Sequence, residues 1–474
     1  MADVRTYSPE FPTIQPGRGR LLARLGHWMR RNRGAIQAVQ WAIVCAYVFL
    51  LVVPALLPLP PDAAGILDSL TVFAQFVFWG IWWPFVILSM VLVGRTWCGV
   101  FCPEGALSEV ASRHGLGRAI PRWMRWGGWP FVAFAGTTLY GQLASVYDYP
   151  GPALVVLGGS TMAAIVVGAI YGRNKRVWCR YLCPVNGVFG LLAKLSPLHF
   201  RADEHAWQRA RESGQRPDRV NCPPLLALRG LDSASGCHMC GRCSGHRGAI
   251  ALEPRRPGIE IETSGGRDTT AGEYVLLVFG MIGLAMGAFQ WSASPWYITV
   301  KQAAATWLVG HGWIWPLQAS APWWLLTDYP AQNDVLTLLD ASVLLLYVVV
   351  VTVLVGGLIT AALAAGALAL GPRPRRVMRH LAHALIPVAG AGLFVGLFGT
   401  TLSLLRADGV PVYWAGDLRA VMFAGASLWS LFLGWRLSAA HAGGSVMRRL
   451  GGTAGVVLAL VPILYGWWLL YWGW

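Results

Sequence analysis

From about residue 36 onward the chain alternates long apolar runs with shorter polar interruptions. Crossing a bilayer as a helix takes about 20 predominantly apolar residues. Nine runs reach that length, near 36–58, 67–93, 127–146, 152–171, 272–292, 335–368, 381–405, 418–439 and 452–474. The pattern predicts an all-α polytopic membrane protein with about nine transmembrane helices. The first run, starting near Gln37, is too late and too long for a cleaved signal peptide.

The interruptions divide the chain into four regions. Residues 1–34 form a basic tail, where Pro9, Pro12 and Pro16 discourage helix. Residues 35–200 are a membrane half of four helices, and 201–270 a polar, cysteine-rich insertion. Within the insertion Arg201 to Arg219 reads as a surface helix, and Arg255 to Gly266 as turns. Residues 271–474 are a membrane half of five helices around a segment rich in tryptophan, Ser292 to Asp334. Tryptophan favours the bilayer interface, so this segment is expected to lie against the outer leaflet, with a docking surface for an outside partner as the alternative.

Composition agrees with the pattern. The chain is 55% hydrophobic and 13% charged, against roughly a quarter charged in soluble domains. Its net charge of +16 suggests nucleic acid only until its placement is seen. Of 38 Lys and Arg, 34 fall in alternate segments, 1–34, 94–126, 172–270, 371–380 and 440–450. Such segregation marks the cytoplasmic side of a bacterial inner membrane. The N-terminus and the insertion are then cytoplasmic, and the C-terminus periplasmic. The charge reads as topology and as attraction to anionic lipid, not as a nucleic-acid footprint.

Two segments share one spelling, Arg-x-Trp-Cys-x-x-x-Cys-Pro: Arg95 to Pro103 and Arg176 to Pro184. Each follows an apolar run, which predicts two similarly built hairpins about a pseudo-twofold axis along the membrane normal. Of nine cysteines, Cys45 sits alone in the first run, where it is expected to pack as a small hydrophobe. The other eight are Cys98, Cys102, Cys179, Cys183, Cys222, Cys237, Cys240 and Cys243. All fall on the side that the charges mark as cytoplasmic, where disulfides are disfavoured and metal ligation is the leading reading.

Cys237-His-Met-Cys240-Gly-Arg-Cys243 has the spacing of a ferredoxin run without its fourth Cys-Pro, while Cys-Pro occurs at 102, 183 and 222. Eight thiolates suffice for two [4Fe–4S] clusters. One partition puts Cys98, Cys102, Cys179 and Cys183 on one cluster and Cys222, Cys237, Cys240 and Cys243 on the other. A crossed partition, each loop pair serving both clusters, follows ferredoxin precedent equally. A structural zinc scaffold is the chemical rival, but zinc sites usually show separated pairs of ligands.

The segments Cys98 to Glu109 and Cys179 to Gly190 resemble the membrane polyferredoxins, the group of NapH-, NosR- and CcoG-like proteins with paired Cys-x-x-x-Cys-Pro loops. The resemblance covers about 70–265. It implies a ferredoxin-like insertion, two cytoplasmic-side [4Fe–4S] clusters and electron exchange with the membrane. It also implies a redox partner protein on one membrane face. The expected function is electron transfer between a cytoplasmic or quinone-pool donor and a membrane or periplasmic acceptor, as an oxidoreductase-type carrier or quinol dehydrogenase subunit. A metal reductase, assembly factor or transporter using clusters as reductant or sensor is the alternative.

Other polar residues carry weaker signals. His380 and His383, three apart on one helical face, are candidates for haem or quinone binding, or a polar rim. Asp68 and Asp340 near helix ends suit helix-end solvation better than a proton pathway. Glu104 and Glu109 follow the first Cys-Pro, where the helix dipole favours acids. His238, His246 and Arg242 are candidate donors to cluster sulfur. No phosphate-cradling glycine motif, nucleophile–base arrangement or carboxylate pair stands out.

Overall fold

A computed structural model describes residues 18–61, 64–213, 220–263, 269–371 and 373–474. Among them, eight helices are long and apolar enough to cross a membrane: Arg33–Leu56, Leu70–Val93, Pro150–Tyr171, Ala271–Ala293, Leu338–Leu370, Pro374–Ala407, Ala415–His441 and Val446–Gly473. The chain is an all-α polytopic membrane protein. Among the described residues the strands form two small sheets, each of two strands.

The ninth apolar run, 127–146, behaves differently. Its helix, Trp129–Leu143, has 15 residues and rises about 22 Å, less than the roughly 30 Å of bilayer hydrocarbon. Pro130 opens it, and after Leu143 the chain turns through Ser145 at positive φ. One end meets the start of a neighbouring span, and the other meets the tryptophan-rich segment. A Cβ on Gly272, at the start of Ala271–Ala293, would lie 2.4 Å from the Gly127 carbonyl oxygen. At the far end the Thr327 amide donates to the Leu143 carbonyl at 2.8 Å.

The second half is held by close helix packing. Gly366 and Gly455 face one another so tightly that a Cβ on Gly455 would sit 2.7 Å from the Gly366 Cα. Small residues permit that approach, which supplies dispersion where lipid removes the hydrophobic drive. Asp340 caps its own helix, accepting from the Thr337 amide at 2.9 Å and hydroxyl at 2.8 Å, and it pairs with Lys301. Asp68 closes a local turn by accepting from the Gly65 amide at 3.2 Å. Within the tryptophan-rich segment lies a helix, Pro295–Gly310, with Trp296 and Trp307 exposed.

Two features depart from the sequence reading. The basic tail is helical over Arg18–Arg31. The last discouraging proline is Pro16, and the chain beyond it is a basic amphipathic run free to coil. In the insertion, a helix capped by Asp203 covers Glu204–Glu212, and another, Ile259–Thr263, occupies part of the stretch read as turns. Residues 214–219 and 264–268, the ends of those two readings, lie outside the described residues.

The insertion is organised by one antiparallel pair, β1 (Leu198–Ala202) and β2 (Ile250–Pro254), with Phe200 opposite Leu252. Phe200, Ile250 and Leu252 share a buried core with Leu231, Met239, Cys237 and Cys243. The strands thus hold the cysteine loop by burying part of it. The Arg18–Arg31 helix lies over the same loop: His27 Nδ1 meets Ser244 Oγ at 2.9 Å, and Arg30 donates to the Ser244 carbonyl at 2.9 Å.

Candidate metal centre

The first group of thiols comes from the two repeated loops. Gly94, at φ +64°, ends one span, and a wide helical turn, Trp97–Phe101, carries Cys98. Cys102 caps the next helix, its Sγ accepting from the Gly105 amide at 3.4 Å. Cys179 lies in the short helix Val177–Tyr181, and Cys183 follows it. Burial pushes the Cys179 thiol up to about 12, against the pull of Arg176 and Arg95. Burial likewise drives Cys102 and Cys183 well up, and each is raised further by Cys98 and Cys179.

The second group is Cys222, Cys237, Cys240 and Cys243. Burial pushes Cys237 up to about 12, while the Met239 amide donates to its Sγ at 3.4 Å. Cys243 is raised by burial and then by Cys237, Cys240 and Cys222. For Cys102, Cys179, Cys183, Cys222, Cys237 and Cys243, the thiols that raise each one belong to its own group of four. This pattern favours grouping the cysteines by loop pair. Cys45 stands apart from both groups, exposed on the surface of its span and not packed inside it.

The two groups abut. A Cβ on Gly99 would lie 2.0 Å from the His238 carbonyl oxygen and 2.9 Å from the Cys240 nitrogen. The backbone after Cys98 thus rests directly on the backbone before Cys240, and Gln40 pins it by donating to the Gly99 carbonyl at 3.0 Å. Two buried arginines flank the join. Arg95 donates to Ser235 O at 2.8 Å, Asn186 Oδ1 at 2.7 Å and Cys98 Sγ at 3.8 Å. Arg176, 1% exposed, pairs with Glu109 at 2.8 Å and feels Cys179, Cys240 and Cys102, thiols of both groups.

Comparison with known proteins bears on these loops. A 4Fe-4S binding domain family, Fer4_5, matches residues 75–125 and again 154–202, one match on each repeated loop. The "Putative electron transport protein YccM" of Escherichia coli (strain K12) is 24% identical over 235 residues, 44% of this chain. Both matches support iron–sulfur electron transfer by a membrane protein. The chain spans about 65% of the length of that curated relative. No solved structure matches.

The donor sets suit the cofactor of that family. Among the described residues no three His, Cys, Asp or Glu converge as ligands of a single metal ion would. A tetrathiolate zinc needs four sulfurs at about 2.3 Å from one ion, whereas an iron–sulfur cluster spreads its thiolates over several irons. Buried thiols that raise one another also call for a cationic core between them, with amide donors to sulfur supplying the remainder.

The acids after the first Cys-Pro do more than answer a helix dipole. Glu104 accepts from Ser160 at 2.7 Å and Trp178 Nε1 at 3.2 Å, and burial raises its carboxyl. Glu109 is held below the usual carboxylate range by Arg176 and Arg242, which outweigh burial. Arg242 therefore serves Glu109 and not a cluster sulfur. His246 packs edge-on against Trp207. His238 is buried with its Nδ1 unbonded, and burial keeps the ring neutral.

His380 and His383 lie away from the thiol loops. His380 Nδ1 meets His441 Nε2 at 2.8 Å, and its Nε2 meets the Ile261 carbonyl at 2.8 Å. With both ring nitrogens engaged, His380 offers none to a haem iron. His383 is buried with Nε2 3.7 Å from Glu273 Oε2. Sequence reasoning missed Arg95, Arg176, Gly99 and His441. The first two were spelled out in the repeat, while nothing local marked the others.

Beside the first thiol group, a cavity of about 210 Å³ reaches into the membrane half. Phe78, Trp79, Trp82 and Trp97 wall it, and Cys102, Cys179 and Cys183 lie along it with Ser160 and Gln142.

Proposed function

We propose that the protein passes electrons one at a time between the quinone pool and a redox partner protein, by way of two [4Fe–4S] clusters. Cys98, Cys102, Cys179 and Cys183 would hold one, and Cys222, Cys237, Cys240 and Cys243 the other. The observation that carries this reading is the seam at Gly99, where two four-thiol groups meet backbone to backbone. When bound, the clusters supply one-electron oxidation and reduction.

The chain's own part is placement. Gly99 keeps the two sites in direct contact. Burial excludes water, and the guanidinium groups of Arg95 and Arg176 place positive charge beside the thiolates, which favours the reduced state. The aromatic cavity against the first group suits a flat, apolar quinone, and the Gln142 amide NH2 offers a donor to one of its carbonyls. The second group, under the Arg18–Arg31 helix, suits exchange with a protein. The arginine and lysine distribution supports nine crossings of a bacterial inner membrane, Trp129–Leu143 among them, with the thiols cytoplasmic and the C-terminus periplasmic.

Anaerobic purification in detergent, followed by iron and acid-labile sulfide analysis, tests the reading. Roughly eight of each per chain is expected, with a visible chromophore that bleaches on adding a quinol analogue. Little iron with stoichiometric zinc overturns it. A chromophore that dithionite bleaches but no quinol does overturns the quinone.

A further inference from the structure

A second cavity, about 550 Å³, opens between the 226–236 loop, the Met124–Gly127 turn and the starts of the helices at Asn186 and Ala271. That volume lies in the range of sites for small molecules. Three guanidinium groups line it, from Arg95, Arg125 and Arg180. Arg95 is 3% exposed and its Nε has no hydrogen-bond partner. Among the described residues neither Arg125 nor Arg180 has a carboxylate partner.

Two acids also line the cavity, and both are answered from outside it. Asp232 lies 3.9 Å from Arg201, and Glu273 pairs with Lys194 at 3.1 Å. The lining therefore keeps Arg125 and Arg180 without a carboxylate partner, alongside apolar wall from Leu226, Leu231 and Trp126. Gly236, the residue before Cys237, makes room for this: its Cβ would meet Arg180 Nη1 at 3.2 Å. Arg180 lies across the loop that leads into the second thiol group.

We propose that this cavity binds a phosphate-bearing ligand with an apolar body, held by Arg125 and Arg180 with Arg95 as the buried positive wall. Guanidinium forks match phosphate oxygens in pairs, and several around one site favour a dianion over a single carboxylate. Two sources share that chemistry: a water-soluble phosphomonoester, and the headgroup of an anionic phospholipid, given the exposed Trp126 beside the cavity.

The test uses the intact, iron-loaded protein. Flavin mononucleotide, with riboflavin as its phosphate-free counterpart, is titrated by equilibrium dialysis. Phosphatidic acid, with diacylglycerol as counterpart, is scored by native mass spectrometry. Saturable binding of one phosphate probe is expected, about tenfold weaker in R125Q/R180Q and weakened by less in R125K/R180K, which keeps the charge but loses the paired fork. The probe that binds identifies the source. Neither phosphate probe exceeding its counterpart, or equal binding in the neutral variant, overturns the proposal. Should R125Q/R180Q lose its iron, competition on the unaltered protein decides. Inorganic phosphate then displaces the bound probe, and failure to displace it refutes the site.

Discussion

The two loops that share the spelling Arg-x-Trp-Cys-x-x-x-Cys-Pro use it differently. In the first, the residue after the leading cysteine is Gly99, which lets the second thiol group press against it; in the second it is Arg180, which faces a cavity. Arg95 has neutral oxygen partners and a sulfur, while Arg176 has a carboxylate. Trp97 stacks edge-on against Trp82 with centroids 4.9 Å apart, whereas Trp178 donates to Glu104. Repetition supplied the cysteines, and the surroundings gave each copy its own task.

The largest test of that contrast is Gly99→Ala. The added methyl has no room against the His238 carbonyl, so the seam must part. We expect more than about 3 kcal/mol of destabilisation and loss of most iron from both sites, whereas Arg180→Ala, which leaves the seam intact, loses less. A G99A protein with full iron would show that the groups need not touch.

Next comes the arginine pair. Arg176→Ala leaves Glu109 buried beside Arg242 alone and should cost about 3–5 kcal/mol, measured by thermal unfolding. Arg95→Ala loses hydrogen bonds to neutral groups and should cost less, about 1.5–3 kcal/mol. Equal losses would erase the distinction. Smaller still, Trp178→Phe removes one donor to a buried carboxyl and should cost about 1–2 kcal/mol, Trp97→Phe about half of that or less.

The finest discrimination is by pH. The folded carboxyl of Glu109 sits below its ordinary value of 4.5. Its contribution is therefore present above that value and is lost as pH falls through the lower, folded value. The deficit of Arg176→Ala relative to the unaltered protein should narrow as pH drops from 7 to 4 and below. That of Arg95→Ala, whose oxygen partners do not titrate, should not follow. Thermal midpoints across that range decide it.

Most of the architecture was legible because bilayer thickness writes itself as run length. The stretch 127–146 is the exception in length: Pro130 and the turn at Ser145 limit its helix to 15 residues inside an unbroken apolar run. Iron–sulfur chemistry was legible from Cys-Pro and the 237–243 spacing, and the 4Fe-4S match falls on the two repeated loops. The contacts that close the centre were not legible. The match of Gly99 to His238 spans 139 positions, and the pairing of His380 with His441 spans 61. Contacts that distant leave no period or local motif.

The Arg18–Arg31 helix sets an order in time. It lies over the loop from Gly241 to Gly245, and a Cβ on Gly241 would strike Met29 Cβ at 2.6 Å. Ribosomes make that helix more than 200 residues before the loop, an interval of roughly 10–40 s at ordinary elongation rates. The cover therefore exists before the thing it covers, and must dock after translation has passed Ser244. Docking then closes the helix over the loop that carries Cys243, one of the proposed cluster ligands, without any further component.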